Sequence, residues 1–203
     1  MVERVYVEKR PGFDGEARHL LAELRDVMGI AGLEGVRVLN RYDAEGMSRE
    51  LFEACVPTVF SEPQADVATF ELPDTRGAQV LAVEYLPGQF DQRADSASEC
   101  IQLISQGERP LVASARVYLL EGDLSDSDMA AIRRHLINPV EAREASLDLP
   151  ATLALEQPVP APVEMLDGFL SMDEAARHAL IAERGLAMDE SDLAFCQRYF
   201  AEE

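Results

Sequence analysis

The chain has few histidines, few cysteines, few bases and no long apolar run, and each shortage removes a class of function. Three histidines and three cysteines among 203 residues leave little material for a metal site. No CxxC, HExxH or paired His/Cys spacing occurs, so zinc has no support. Cys55, Cys100 and Cys196 are far apart and odd in number, which suits reduced thiols in a cytosol better than a disulfide framework. His19, His135 and His178 each fall in a stretch of helical periodicity, where a packed or solvated position is the ordinary role. No apolar run approaches the roughly 18 residues that a membrane span needs. The N-terminal MVERVYVEKRPGFD is charged from the start and has no apolar core, so no signal peptide is expected. Eighteen bases stand against 38 acids, a formal net charge of −20. Such a surface repels nucleic acid and favours solubility. The expectation is a cytoplasmic protein with neither nucleic acid nor membrane as partner.

What remains is globular: 47% of the residues are hydrophobic and 28% charged, enough for one large domain or two small ones with a real core. An internal repeat emerges at a period near 77 residues. Val7-Glu8 recurs as Val83-Glu84, and Pro11-Gly12 as Pro87-Gly88. After one residue of slippage Asp14 falls on Asp91, Ala17 on Ala94, Leu24 on Ile101 and Val27 on Ile104. Arg37-Val38 matches Arg116-Val117, Met47-Ser48 matches Leu124-Ser125, Val59-Phe60 matches Leu136-Ile137, and Leu72-Pro73 matches Leu149-Pro150.

Each copy reads as alternating strand and helix. Strands begin at Val2, Val5 and Val7 and at Val80–Tyr85, and each ends at a Pro-Gly turn. Leu20, Leu21, Leu24, Val27 and Met28 form one helical stripe, with Ala97, Cys100, Ile101 and Ile104 as its counterpart. Asp14 and Asp91 stand at N-cap positions. Strands at Val36–Leu39 and Ala115–Leu120 follow, then helices opening at Ser48 and Ser125, then extended pieces at Val67–Leu72 and Ala145–Leu149. Room remains for one more short strand after the central one. The predicted class is α+β: two tandem ferredoxin-like-type β-α-β-(β)-α-β repeats forming a pseudo-dimeric domain over 1–150, divided at about residue 75. A single copy would expose a sheet face and an edge, and two copies can cover each other. A proline-rich connector with Pro158, Pro160 and Pro162 is expected over 151–170. A helical linker domain is expected over 171–203, with a capping box at Ser171-Met172-Asp173-Glu174, a Gly185 stop and a last helix from about Asp189.

Most chemical motifs fail. Asp123-Leu124-Ser125-Asp126-Ser127-Asp128 has the acids of a calcium loop but lacks its turn glycine, and Arg134 stands where the bidentate Glu belongs. Neither GxGxxG nor a P-loop occurs, and no serine sits in a nucleophile elbow. No catalytic, cofactor-binding or metal-binding residue is therefore assigned. One stretch, Glu84-Tyr85-Leu86-Pro87-Gly88-Gln89-Phe90-Asp91-Gln92-Arg93-Ala94-Asp95, gathers polar and aromatic groups at a strand-to-helix junction, where sites are commonly built. A capped helix start with a solvated turn is the bland alternative, because capping already accounts for Asp91.

The ordered segments VYVEKRPGFD, VRVLNRYD, VFSEP, AVEYLPGQFDQRADSA, CIQLI, GERPLV, VYLLEGDLSDSDMAAI and LINPVEAREAS resemble the start of large-form phosphoribosylformylglycinamidine synthase. The resemblance covers essentially the whole chain, and EYLPGQFDQRADSA is its most specific part. It implies a noncatalytic scaffold and coupling segment of a glutamine- and ATP-dependent C–N ligase of de novo purine biosynthesis. In that family the first region resembles two fused copies of a small companion subunit, and a helical linker domain follows. LAMDESDLAFCQRYF is similar to its last helix. The family's ATP site and its Cys-His-Glu glutaminase triad lie beyond Glu203, so no catalytic residue carries over. Bound cofactors are expected to be none here, with ATP and magnesium used by the full enzyme. The implied partners are its synthetase and glutaminase domains. The candidate coupling surface comprises Glu84, Tyr85, Gln89, Asp91, Arg93, Asp95, Phe195, Tyr199 and Phe200. The rival reading is a free-standing ferredoxin-like module that binds a small ligand or a partner. The reading frame beyond Glu203 separates the two.

Overall fold

A computed structural model describes residues 1–155 and 159–202. The chain divides into two compact units, Met1–Glu156 and Gln157–Glu203. No helix among the described residues is long and apolar enough to cross a membrane.

The first unit is mixed α and β. Its strands are β1 (Val2–Lys9), β2 (Leu33–Glu45), β3 (Asp66–Thr69), β4 (Gln79–Tyr85), β5 (Leu111–Gly122) and β6 (Ala142–Glu144). They form one antiparallel sheet in the order β3-β1-β2-β5-β4-β6. Four helices accompany it: α1 (Gly15–Ala22, prolonged by a π-helical turn to Val27), α2 (Arg49–Cys55, prolonged likewise to Phe60), α3 (Gln92–Ser105) and α4 (Asp126–Leu136).

The strand registers obey one rule. Raising both residue numbers by 76 turns the β1–β2 pair Val7↔Asn40 into the β4–β5 pair Val83↔Arg116. The same step turns the β1–β3 pair Glu8↔Val67 into the β4–β6 pair Glu84↔Arg143. Asn40 and Arg116 are themselves direct partners in the central β2–β5 ladder. This corrects the expected match of Arg37 with Arg116. Arg37 forks onto Glu8 on one face, whereas Arg116 reaches Glu16 of α1 on the other. A shift by one residue exchanges the faces of a strand, and similarity of residue type alone does not register it.

All four helices lie on one sheet face, and the core shows how they pack. Leu20 and Leu24 of α1 share a cluster with Leu33 of β2, Leu81 and Val83 of β4, Leu120 of β5, and Met129 and Ile132 of α4. Ala97 and Ile101 of α3 pack with Val5 and Val7 of β1, Tyr42 and Ala44 of β2, and Phe52, Cys55 and Phe60. Each long helix thus lies on the central strand of its own half, α1 on β2 and α3 on β5, and shares its core cluster with strands of the other half. Leu24, Phe52 and Ile101 are fully buried, and each such side chain contributes about 1.5–3 kcal/mol relative to exposure. Removing either half would return these faces to water. Burial also pushes the Cys55 thiol up, so it stays a packed, unreactive thiol.

The opposite face holds Tyr6, Leu39, Ala82, Val117, Leu119 and Ala145. Beside them lies a buried ion cluster. Arg4 forks onto Asp43 at 2.5 and 2.8 Å and donates to the Leu147 and Asp148 carbonyls. Arg41 lies 3.5 Å from Asp43 and donates to the Ser146 carbonyl at 2.6 Å. Two buried guanidiniums thereby strap residues 146–148 across the sheet.

Several expected boundaries shift. The central strands run well beyond Val36–Leu39 and Ala115–Leu120, because pairing on both sides carries polar residues such as Asn40 and Asp43 through the ladder. That extension uses the length in which a further strand was expected. The closing strands are the shorter β3 and β6, and residues after Ala145 leave the ladder for the arginine strap. Asp91, Ser48 and Ser125 cap their helices, but Asp14 does not; its carboxylate accepts from the Gly12 N–H instead. The buried stripe of α3 is Ala94, Ala97, Ser98 and Ile101, which leaves Cys100 and Ile104 exposed.

The described part of the second unit carries no regular structure over 159–166, and Pro158 lies outside the described residues. A short 3-10 turn (Phe169–Ser171) precedes α5 (Glu174–Arg184) and α6 (Glu190–Glu202). Asp173, not Ser171, caps α5, because Ser171 turns its hydroxyl back to the Gly168 carbonyl. Gly185 ends α5 in a left-handed conformation. Leu180 and Leu193 are buried, and Arg177 joins the elements through Glu190, Gln197 and the Met172 carbonyl.

Candidate functional site

Alternate residues of β5 point to the helix face, so Ser114, Arg116 and Tyr118 line up on one side of the strand. They contribute to a cleft of about 690 Å³. Val83 and Tyr85 of β4 adjoin them, Gln92, Arg93, Ser96 and Cys100 come from α3, and Leu136 ends α4. Tyr42, Val59, Glu84, Ala97, Ala115, Glu141 and Ala142 complete the lining.

The polar groups differ in how far they are committed. Ser114 gives both its N–H and its hydroxyl to the Asp91 carboxylate, at 2.8 and 2.9 Å. The same carboxylate accepts the Ala94 N–H as helix cap. Asp91 thereby pins the start of α3 to β5. Arg116 donates to Glu16 at 2.7 Å, and that carboxylate is more than half exposed. Arg93 is exposed and has no hydrogen-bond or ion-pair partner among the described residues. Burial pushes the Tyr118 hydroxyl up, so it remains a neutral donor.

The junction expected to carry function is accordingly divided. Glu84 accepts from Arg143 at 2.8 Å and lies 3.6 Å from Arg41. Gln89 reaches the Val140 carbonyl only at the limit of hydrogen bonding, 3.5 Å. Asp95 is paired with Arg109 at 2.6 Å. Asp91, Asp95 and Glu84 are thus committed to local structure, while Tyr85 and Arg93 present free groups. Phe195, Tyr199 and Phe200 belong to the second unit, where all three are at least half exposed on α6. Sequence reasoning missed Tyr42, Ser114, Arg116 and Tyr118. The period-two spacing of the last three was the available signal, hidden because the pattern was read only for apolar residues.

The acids Asp126 and Asp128, weighed as a calcium loop, instead form a helix start in which Ser125 and Asp128 cap reciprocally. No group of three or more His, Cys, Asp or Glu side chains that could hold a metal occurs among the described residues. The cleft can bind and orient, and its Ser114 hydroxyl is already spent on the Asp91 carboxylate that caps α3. No family model and no curated protein matches the chain.

Proposed function

We propose that the chain is the noncatalytic N-terminal segment of a large-form phosphoribosylformylglycinamidine synthase, a scaffold that couples glutamine hydrolysis to the ATP-dependent ligase step. In this reading residues 1–150 are two tandem ferredoxin-like units fused into a pseudo-dimer. The observation that carries it is the constant offset of 76 between the strand ladders of the two halves. That register agrees with the two fused companion-subunit copies that the resemblance implies. The core clusters, each drawn from both halves of the chain, support it further, since fused subunits share buried surface. The exposed aromatics of α6 and the free Arg93 supply surface for synthetase and glutaminase domains.

The test is reconstitution. Alone, with ATP, magnesium, glutamine and the formylglycinamide ribonucleotide, the chain should yield no product. Added to a synthase core lacking its own N-terminal region, it should restore glutamine-dependent synthesis. Product from the chain alone, or no restoration by a folded chain, refutes the reading. A free-standing binding module is the second reading, favoured by the 690 Å³ cleft.

A further inference from the structure

This cleft differs in chemistry from a second, smaller one in the first unit. The smaller, about 400 Å³, is lined by the charged groups Glu8, Lys9, Asp14, Glu16 and Arg37, with Arg10 and Arg76. Most of these are already matched: Arg37 with Glu8, Lys9 with Asp66 and Glu62, and Arg18 with Asp14. The larger has aromatic walls, Tyr42, Tyr85 and Tyr118, and hydroxyl or amide groups from Ser96 and Gln92. Its two cations are Arg116, held by one exposed carboxylate, and Arg93, which has no partner among the described residues. Two acids also line it. Glu84 is taken by Arg143, which leaves Glu141 to oppose the arginines.

In a chain of net charge −20, an uncommitted guanidinium on the same cleft as a recessed arginine gathers two cations where acids prevail. Guanidiniums recognise carboxylate and phosphate by paired N–H donors, and they do so best where the surroundings are partly apolar. A cleft of this volume, with aromatic walls and a few convergent donors, has the proportions of a small-molecule site. From Arg93, Arg116 and the Tyr42, Tyr85 and Tyr118 walls, we infer that this cleft binds a small organic anion, a planar ring bearing a phosphate or carboxylate. The ring lies among the tyrosines and the anionic group between the two arginines, with Glu16 yielding its hold on Arg116.

This site stands independently of the synthase reading, because the chain itself is the binding partner. The test is titration of the 203-residue chain with phenyl phosphate, followed by calorimetry and by amide chemical shifts. Inorganic phosphate and phenol serve as half-ligands. Saturable binding of phenyl phosphate below about 1 mM is expected, with shifts at residues 93, 96, 116 and 118. Each half-ligand should bind at least tenfold more weakly. Arg93→Gln touches no internal bond and should keep the melting temperature while weakening binding tenfold or more. Arg116→Met should do the same, and its unfolding curve reports separately on the lost Glu16 pair. Absence of saturable binding at about 5 mM overturns the inference. So does binding that survives both substitutions, or equal affinity for phosphate and phenyl phosphate.

Discussion

Replacing Asp43 by Asn should damage this fold more than most single substitutions. Asp43 is only 2% exposed and takes both prongs of the Arg4 fork, with Arg41 3.5 Å away. Burial alone disfavours the charge of both arginines. For Arg4 the hydrogen bond and charge of Asp43 outweigh that burial, and its pKa is raised. For Arg41 burial wins and its pKa is lowered, with Asp43 still the main attraction opposing it and Arg4 repelling it. Asn keeps the shape and removes the charge, which leaves two buried cations facing each other with Glu84 3.6 Å from Arg41 as the remaining acid. Removing one partner of a buried ion pair costs about 3–5 kcal/mol. In a unit of this size that lowers Tm on the order of 10 °C. The carbonyls of residues 146–148 should loosen with it, since Arg4 and Arg41 hold them. Urea unfolding of Asp43→Asn, Arg4→Met and the double variant forms the assay. The double variant should cost less than the two singles combined, by about 1 kcal/mol or more. A loss below about 1 kcal/mol for Asp43→Asn, or strict additivity, would refute the reasoning.

A Cβ at Gly122, where φ is +131°, would lie 2.0 Å from the Gly32 carbonyl oxygen, so Gly122→Ala should destabilise by about 3 kcal/mol or more. Gly15→Ala, which meets open space, should leave thermal unfolding nearly unchanged. Hydrogen bonds from the Leu153 N–H and then the Thr152 hydroxyl hold the Glu45 carboxyl below its ordinary value of 4.5, so the tie is complete above that pH. It is lost as pH falls through the lowered value, and amide exchange at Leu153 should rise only under those acid conditions. The proposed synthase role makes two demands of its own. Arg93→Ala, placed in a full synthase, should lower glutamine-dependent activity more than ammonia-dependent activity, and equal loss of both would count against that role. Phe200→Ala should weaken docking to the synthetase core that the proposal names by about 1–3 kcal/mol in a pull-down titration, while the unfolding of the first unit stays unchanged.

Local chemistry made much of this molecule legible. Apolar spacing and β-branched runs announced the strands and helices, and Ser48, Asp91 and Ser125 announced three helix starts that their side chains do cap. These features depend on neighbours a few residues away, so a linear reading reaches them. Leu24 and Ile101, matched by the period alone, are both fully buried. The register of Asn40 against Arg116, the core clusters shared between the halves, and the strap of Arg4 and Arg41 were decided only by tertiary structure. Each depends on which distant strand supplies the partner, and a buried arginine reads in sequence like any solvated one. The cleft illustrates the same division. Arg93 stood out in sequence because it lies in a distinctive turn, whereas Arg116 and Tyr118 became its neighbours only when β5 paired with β4 and turned their side chains under the helices.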